Sequence, residues 1–411
     1  MYTRNTLIGI FFLLASLGVV FGVIFYNSSS RQIPVVFAPR TMLLSLWEGY
    51  KTAYLEPGTF RTLDRDRSNI TTSEGESYTM LRAVWMDDKD VFDASWKWTK
   101  DNLKHDNDFL FAWLFGKDVT GKYKVLAGSG GENTASDADT DIALSLVLAY
   151  SRWKDPVYLN EARAVMDDIW KQEVVVIRGR PYMAANNIER ESPSRIIVNP
   201  SYFSPYAYRT FAAVDSSHNW KGLIDTSYEV LLVSANSALD AKKSSGLPPD
   251  WIAIDRSSGA ILPPSGTDLG TGYGYDAMRI PWRLALDYRF SQDSRAKEVL
   301  SRFSLLDSEW SRLGEIPAQH AHNGTVISPT ESPAVYGGTL GYWIVTDPAR
   351  AKEVYLSKLQ ILYNPDTEQW KKPLGYYEDN WVWFGMALYH NELPDLTSSL
   401  ASSTKSAANG V

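Results

Sequence analysis

The chain has 411 residues, 44% hydrophobic and 22% charged, with a formal net charge of −7. That profile is globular rather than disordered, and an acidic chain without a basic stripe argues against nucleic acid as a partner. The absence of cysteine excludes disulfides, thiolate metal sites and thiol nucleophiles.

The first predicted element is "LIGIFFLLASLGVVFGVIFY", residues 7–26, which carries no charge. Twenty such residues at about 1.5 Å each roughly span a bilayer core. A cleavable signal usually has a shorter apolar region followed by small residues, whereas this run ends in Phe25-Tyr26-Asn27. Residues 1–31 therefore read as a retained membrane anchor, with a cleaved signal as the alternative. Either way the rest of the chain is expected to be exported, to the periplasm or the exterior. Residues 32–40 read as a linker, 41–393 as one domain, and 394–411 as a small, polar, disordered tail.

Within the domain, apolar periodicity predicts helices near 41–55, 76–86, 91–103, 138–153, 157–170, 203–213, 225–239, 274–288, 294–308, 334–345, 349–362 and 377–390. Loops containing Pro or Gly separate them. Strand signals are few: "EVVVIRG" and "RIIV". About a dozen helices without a clean fixed-period repeat suggest an all-α fold of paired helices, a closed solenoid or an α/α barrel.

Three acidic clusters stand out. In "TTSEGESYTML", Ser73 and Glu76 fit a capping box, with Ser73 as the N-cap and Glu76 folding back on it. Glu74 then has no structural task, and it stands beside Gly75, which is expected to leave room for a ligand. In "ASDADTDIALSLVLAYSRW", Asp137, Asp139 and Asp141 crowd the start of a helix that is apolar all round and so should be buried. Carboxylates suit a helix N-terminus, but one suffices as a cap and three repel one another. In "GYGYDAMRIPWRLALDY", Asp276 precedes Arg279 by three residues, the spacing of an ordinary helical ion pair. The 15 Trp and 23 Tyr are mostly core material, although beside carboxylates and glycines they also suit a cleft that stacks sugar rings. His320-Ala-His322 reads as a loop feature rather than a metal site. Asn69-Ile-Thr and Asn323-Gly-Thr fit the glycosylation sequon.

The stretch from Ala135 to Trp153 resembles the signature of glycoside hydrolase family 8. "TSEGESY", "NPSYFSPYAYRTF", "YGYDAMRIPWRLALDY" and "YYEDNWVWFGMAL" resemble further segments of that family, in the same order. The resemblance implies an (α/α)6 barrel that hydrolyses β-1,4 glycosidic bonds with inversion, without cofactor or metal. It implies Glu74 as general acid, Asp276 as general base and Asp137 as the residue that orients the sugar. Trp113, Tyr202, Tyr275, Arg279 and Tyr376 are the expected cleft residues. Asp137 is then expected to face the cleft, while Asp139 and Asp141 cap or solvate the helix. The expected substrate is cellulose or a related β-glucan. A xylanase or chitosanase of the same family is the alternative, as is a non-catalytic glycan-binding accessory of a polysaccharide synthesis or export complex. A glucanase trimming a nascent chain at the cell surface is a mixed form of these readings.

Overall fold

The computed structural model describes residues 38–397 and Leu400. The expected anchor at 7–26 and all of the tail beyond Thr397 except Leu400 lie outside the described residues, among which no helix is long and apolar enough to cross a membrane.

From Pro39 onward the chain is mostly helical. The helices are α1 (Pro39–Tyr54), α2 (Ser73–Met86), α3 (Lys89–Asn102), α4 (Ser136–Trp153), α5 (Pro156–Gln172), α6 (Pro205–Val214), α7 (Trp220–Asn236), α8 (Ile280–Ser291), α9 (Ser294–Leu300), α10 (Ser304–Leu313), α11 (Pro333–Thr346), α12 (Pro348–Val354) and α13 (Tyr376–Tyr389). Among the described residues there are also twelve short strands in five small sheets, so the all-α expectation holds only as a majority. The two anticipated strands are present, β4 (Val174–Ile177) and β6 (Arg195–Val198). The others are mostly two to four residues long, too short for an alternating pattern to register. Three that matter below are β1 (Thr71–Thr72), β2 (Leu114–Lys117) and β7 (Ile252–Asp255), where β1 pairs with β2 and β6 with β7, both antiparallel.

Six helices pack in succession, α2 on α4, α4 on α6, α6 on α8, α8 on α11 and α11 on α13. Side chains join the last to the first: Tyr78 meets Trp381 and Phe384 edge to face, and Arg82 pairs with Asp379 at 2.9 Å. The intervening helices lie against this set, α3 on α2, α5 on α4, α7 on α6, α9 on α8 and α12 on α11. The result is a helical barrel whose inner members are buried on nearly every side. In α4 every residue from Ser136 to Ala149 is buried, as an all-round apolar helix requires. Tight crossings come from glycine: a Cβ on Gly337 would lie 2.1 Å from Trp381 O, and one on Gly341 2.3 Å from Pro281 O. Only a residue without a Cβ lets α11 pack this closely against α13 and α8.

Candidate active site

At one end of the inner helices the three expected carboxylates meet on a single guanidinium. Arg279 Nη1 donates to Glu74 Oε2 at 2.6 Å and to Asp137 Oδ2 at 3.0 Å, and its Nη2 donates to Asp276 Oδ1 at 2.6 Å. Glu74 stands on the first turn of α2, Asp137 on the first turn of α4, and Asp276 and Arg279 on the turn that enters α8. Residues more than two hundred positions apart are thus gathered because three inner helices begin at the same end of the barrel. Arg279 is itself fixed from behind: Ser201 Oγ accepts from Nε at 3.2 Å and from Nη2 at 2.7 Å, and donates to Asn199 Oδ1.

The three acids differ in access. The side chains of Glu74 and Asp276 keep 25% and 32% of their exposure, while those of Asp137 and Arg279 are sealed at 2% and 1%. Two carboxyls therefore face the opening, while Asp137 and Arg279, both expected in the cleft, lie sealed beneath them as a charge pair. Burial pushes the Glu74 carboxyl up to about 7; Arg279 opposes the shift, and the negative charges of Asp137 and Asp276 reinforce it. Asp137 is also raised, by burial first, against the pull of Arg279 and Arg283. A helix N-terminus beside a guanidinium would ordinarily depress Glu74. Enclosure with two other acids overrides that tendency.

The aromatic residues divide. Tyr202 lies under the Arg279 guanidinium, 5.2 Å from ring centre to carbon, and meets Trp251 edge to face. Tyr275 is exposed at 41%, and its carbonyl accepts from Tyr377 Oη at 2.6 Å. Trp113 is half-buried, its Nε1 bonded to Gly130 O, and its carbonyl accepts from Ser73 N–H at the start of α2. Tyr376 is not at the opening. It is buried against Tyr54, and its hydroxyl occupies the place where a Cβ on residue 75 would come within 2.6 Å. Gly75 therefore makes room for Tyr376 and not for a ligand.

The neighbouring residue, Tyr377, is the one that faces the cluster. Burial raises its phenol, with Glu74, Asp276 and Asp137 adding and Arg279 opposing. The doublet Tyr376-Tyr377 signalled an aromatic here, but without the helix phase it could not say which of the two turns inward. Ser201 lies inside the segment quoted above from Asn199, although nothing in a lone serine marked it.

Two local expectations are corrected. The N-cap of α2 is Thr72, whose hydroxyl accepts from Gly75 N–H at 3.0 Å. Glu76 does not fold back as a capping box. It is fully buried and accepts from Thr62 N–H at 2.7 Å, Ser95 Oγ at 2.7 Å and Thr99 Oγ at 3.3 Å. Asp139 and Asp141 neither cap nor solvate α4. Asp139 is buried, accepts from Phe111 N–H at 3.2 Å and meets the Glu173 carboxyl. Asp141 forms a buried two-pronged pair with Arg283, both contacts at 2.8 Å. Each aspartate of the triplet thus leaves the helix in a different direction, to a different partner. His320 bonds to Glu309 and His322 to Ser237 O. Among the described residues no cluster of His, Asp and Glu could hold a metal ion.

A helical barrel with two accessible carboxyls gathered at one end of its inner helices is a framework that can supply an acid and a base to a glycosidic bond. The chain matches glycosyl hydrolases family 8 over residues 28–371, and it belongs to that family. It is 31% identical to an endoglucanase of Cellulomonas uda over 60% of this chain and 64% of that one. It is 32% identical to an endoglucanase of Escherichia coli (strain K12) over 66% of this chain and 69% of that one. The crystal structure of endoglucanase Cel10, a family 8 glycosyl hydrolase from Klebsiella pneumoniae, superposes with a TM-score of 0.67 at 25% identity, covering 85% of this chain and 100% of that one. The chain spans just under two thirds of the length of several curated relatives it matches.

Proposed function

We propose that the protein is an inverting, endo-acting glycoside hydrolase that cuts β-1,4 bonds in cellulose or a related β-glucan. The observation that carries this reading is the convergence of Glu74, Asp137 and Asp276 on Arg279 at the open end of the barrel. Endoglucanases are also what the relatives named above are called. Glu74, raised to about 7 and so still partly protonated at neutral pH, gives its proton to the glycosidic oxygen as the bond to the anomeric carbon breaks. Asp276 takes a proton from a water, whose oxygen attacks that carbon from the opposite face. Asp137 cannot reach bulk solvent; it fixes Arg279, and through that guanidinium it sets the places of Glu74 and Asp276 about the cleavage point. Trp113, Tyr202, Tyr275 and Tyr377 supply flat faces for equatorial β-linked rings. Solvent then returns the proton to Glu74 and removes the one on Asp276.

The six inner helices and their outer partners, with α1 on α13 as the sixth, close as an (α/α)6 barrel occupying 41–393. Residues 7–26 hold the protein in a membrane with the barrel outside the cytoplasm, where it trims a nascent polysaccharide. The composition of that segment is what supports this placement.

The test is reducing-end release by the full chain in detergent from carboxymethylcellulose, xylan and chitosan, followed by NMR of the first product of a β-linked oligosaccharide. Preferential cutting of the glucan with an initial α-anomer supports the proposal. An initial β-anomer removes Asp276 from the role of base, and preference for xylan or chitosan reassigns the substrate.

A further inference from the structure

Asp276 begins the turn that leads into α8, yet its side chain caps nothing there. An aspartate at a helix start ordinarily turns its carboxylate onto the first free N–H groups, because those donors are otherwise unsatisfied. Here the carboxylate points away, to Arg279 Nη2. The donors are satisfied from outside. Asp250, in the loop just before β7, accepts from Ala277 N–H at 2.7 Å and from Gly274 N–H at 3.0 Å, both on Oδ1. Its own N–H donates to Gly272 O at 2.6 Å. Three contacts thus run from one residue along the segment that carries Asp276. The approach requires a glycine, since a Cβ on Gly274 would lie 2.8 Å from Asp250 Oδ2.

We propose that Asp250 is a positioning residue for the reaction: it caps the 274–277 turn in place of Asp276 and so frees the Asp276 carboxylate to hold and deprotonate water. This rests on reading Asp276 as the base. Tyr273 exchanges two hydrogen bonds with His320, at 2.8 and 2.9 Å, so the segment before Gly274 stays anchored without Asp250. Loss of Asp250 therefore loosens the turn locally and leaves the barrel intact. Without it, Ala277 N–H competes for the nearest carboxylate, which is that of Asp276. The acceptor on Oδ1 matters and the charge does not, so asparagine should serve where alanine cannot.

The full chain in detergent is compared as wild type, Asp250→Ala, Asp250→Asn, Asp276→Asn and the Asp250→Ala/Asp276→Asn double variant. Misplacing a catalytic group by an ångström costs about 10²-fold. Asp250→Ala should accordingly lose about that factor in kcat on a soluble β-1,4-glucan while KM stays put, and Asp250→Asn should recover most of it. The double variant should be no slower than Asp276→Asn alone, because Asp250 acts through Asp276. Amide hydrogen exchange over 272–279 should quicken in Asp250→Ala and not in Asp250→Asn. A fully active alanine variant, an asparagine variant as impaired as alanine, an additive loss in the double variant, or unchanged exchange overturns the inference. A wild type that releases no ends from any β-1,4-glucan overturns the enzymatic reading as well, whereas an active wild type beside an unaffected Asp250→Ala overturns this inference alone.

Discussion

Glu74 and Glu76 stand two residues apart on one helix, and Asp137 and Asp139 two residues apart on another, yet the members of each pair inhabit opposite worlds. Glu74 and Asp137 meet a guanidinium at the open end of the barrel. Glu76 and Asp139 face away into the wall. Glu76 is surrounded by a backbone N–H and two hydroxyls, and Asp139 has another carboxyl as its neighbour. Burial raises both Glu74 and Glu76 to about 7, so a shifted carboxyl is no sign of catalysis by itself. What separates them is company: a shared cation, a second acid and an approach from solvent on one side, closed hydrogen bonds on the other.

The sharpest way to break this comparison is to substitute both glutamates alike. Glu74→Gln keeps the shape but cannot donate the proton, and should cost about 10³-fold or more in kcat with oligosaccharide binding retained. Glu76→Gln replaces a carboxyl that is largely protonated below its raised value. Its amide oxygen can still accept from Thr62 N–H while the hydroxyls of Ser95 and Thr99 rotate to accept, so activity should stay within a few-fold. Equal losses in the two variants would sink the division. The wild-type pH profile sharpens it: the acid must be protonated, so activity should decline as pH rises through about 7, and that limb should vanish in Glu74→Gln.

Asp141 extends the comparison from catalysis to folding. It and Arg283 are both buried and bonded to each other twice. Removing one partner strands the other charge in the core, which typically costs about 3–5 kcal/mol. Asp141→Ala should therefore lower the melting temperature steeply, whereas Glu74→Gln should hardly move it. Denaturant titration of the two variants side by side checks this, and an Asp141→Ala protein as stable as wild type would refute the reading of that pair.

The sequence pattern carried more of the site than of its surroundings. Glu74, Asp137, Asp276 and Arg279 were legible because each lies in a segment whose residues resemble the family's. Helix positions were legible from periodicity, to within a few residues for most. The short strands were not, because two to four residues hold too little alternation to read. Ser73 masks Thr72 as the cap, because it fits the same template one residue later. Which of Tyr376 and Tyr377 turns inward is not legible, because a doublet does not reveal its own rotation. Asp250 was invisible: its role comes from contacts with residues some 24 and 27 positions away, and nothing local in "LPPDW" announces them.

The smallest expected effect lies in the hidden pair of Asp139 and Glu173. Both carboxyls are fully buried, and each leaves one oxygen without a hydrogen-bond donor, Asp139 Oδ2 and Glu173 Oε2. The groups facing Glu173 are the Thr134 hydroxyl and the acids Asp139, Asp137 and Asp108; Asp139 faces Glu173, Phe111 N–H and Asp108. Among the described residues neither forms an ion pair, so burial and mutual repulsion favour the protonated forms. Glu173 is pushed up from 4.5 to about 8, by burial first, and Asp139 is raised as well. Folded, this pair therefore binds more protons than it does in the unfolded chain between about pH 4.5 and 8. Its contribution to stability falls as pH rises through that window and is fullest below it. Glu74, Glu76 and Asp250 are raised too and share in the decline, so only the difference between two proteins isolates the pair. Glu173→Gln supplies an amide N–H to Asp139 Oδ2 and keeps an oxygen for Thr134. Its melting temperature should fall less than that of wild type from pH 5 to 8, and the two curves should diverge most at pH 8, with the variant the more stable. Parallel curves would mean that the two carboxyls share no proton, and that the wall behind Asp137 is not held by one.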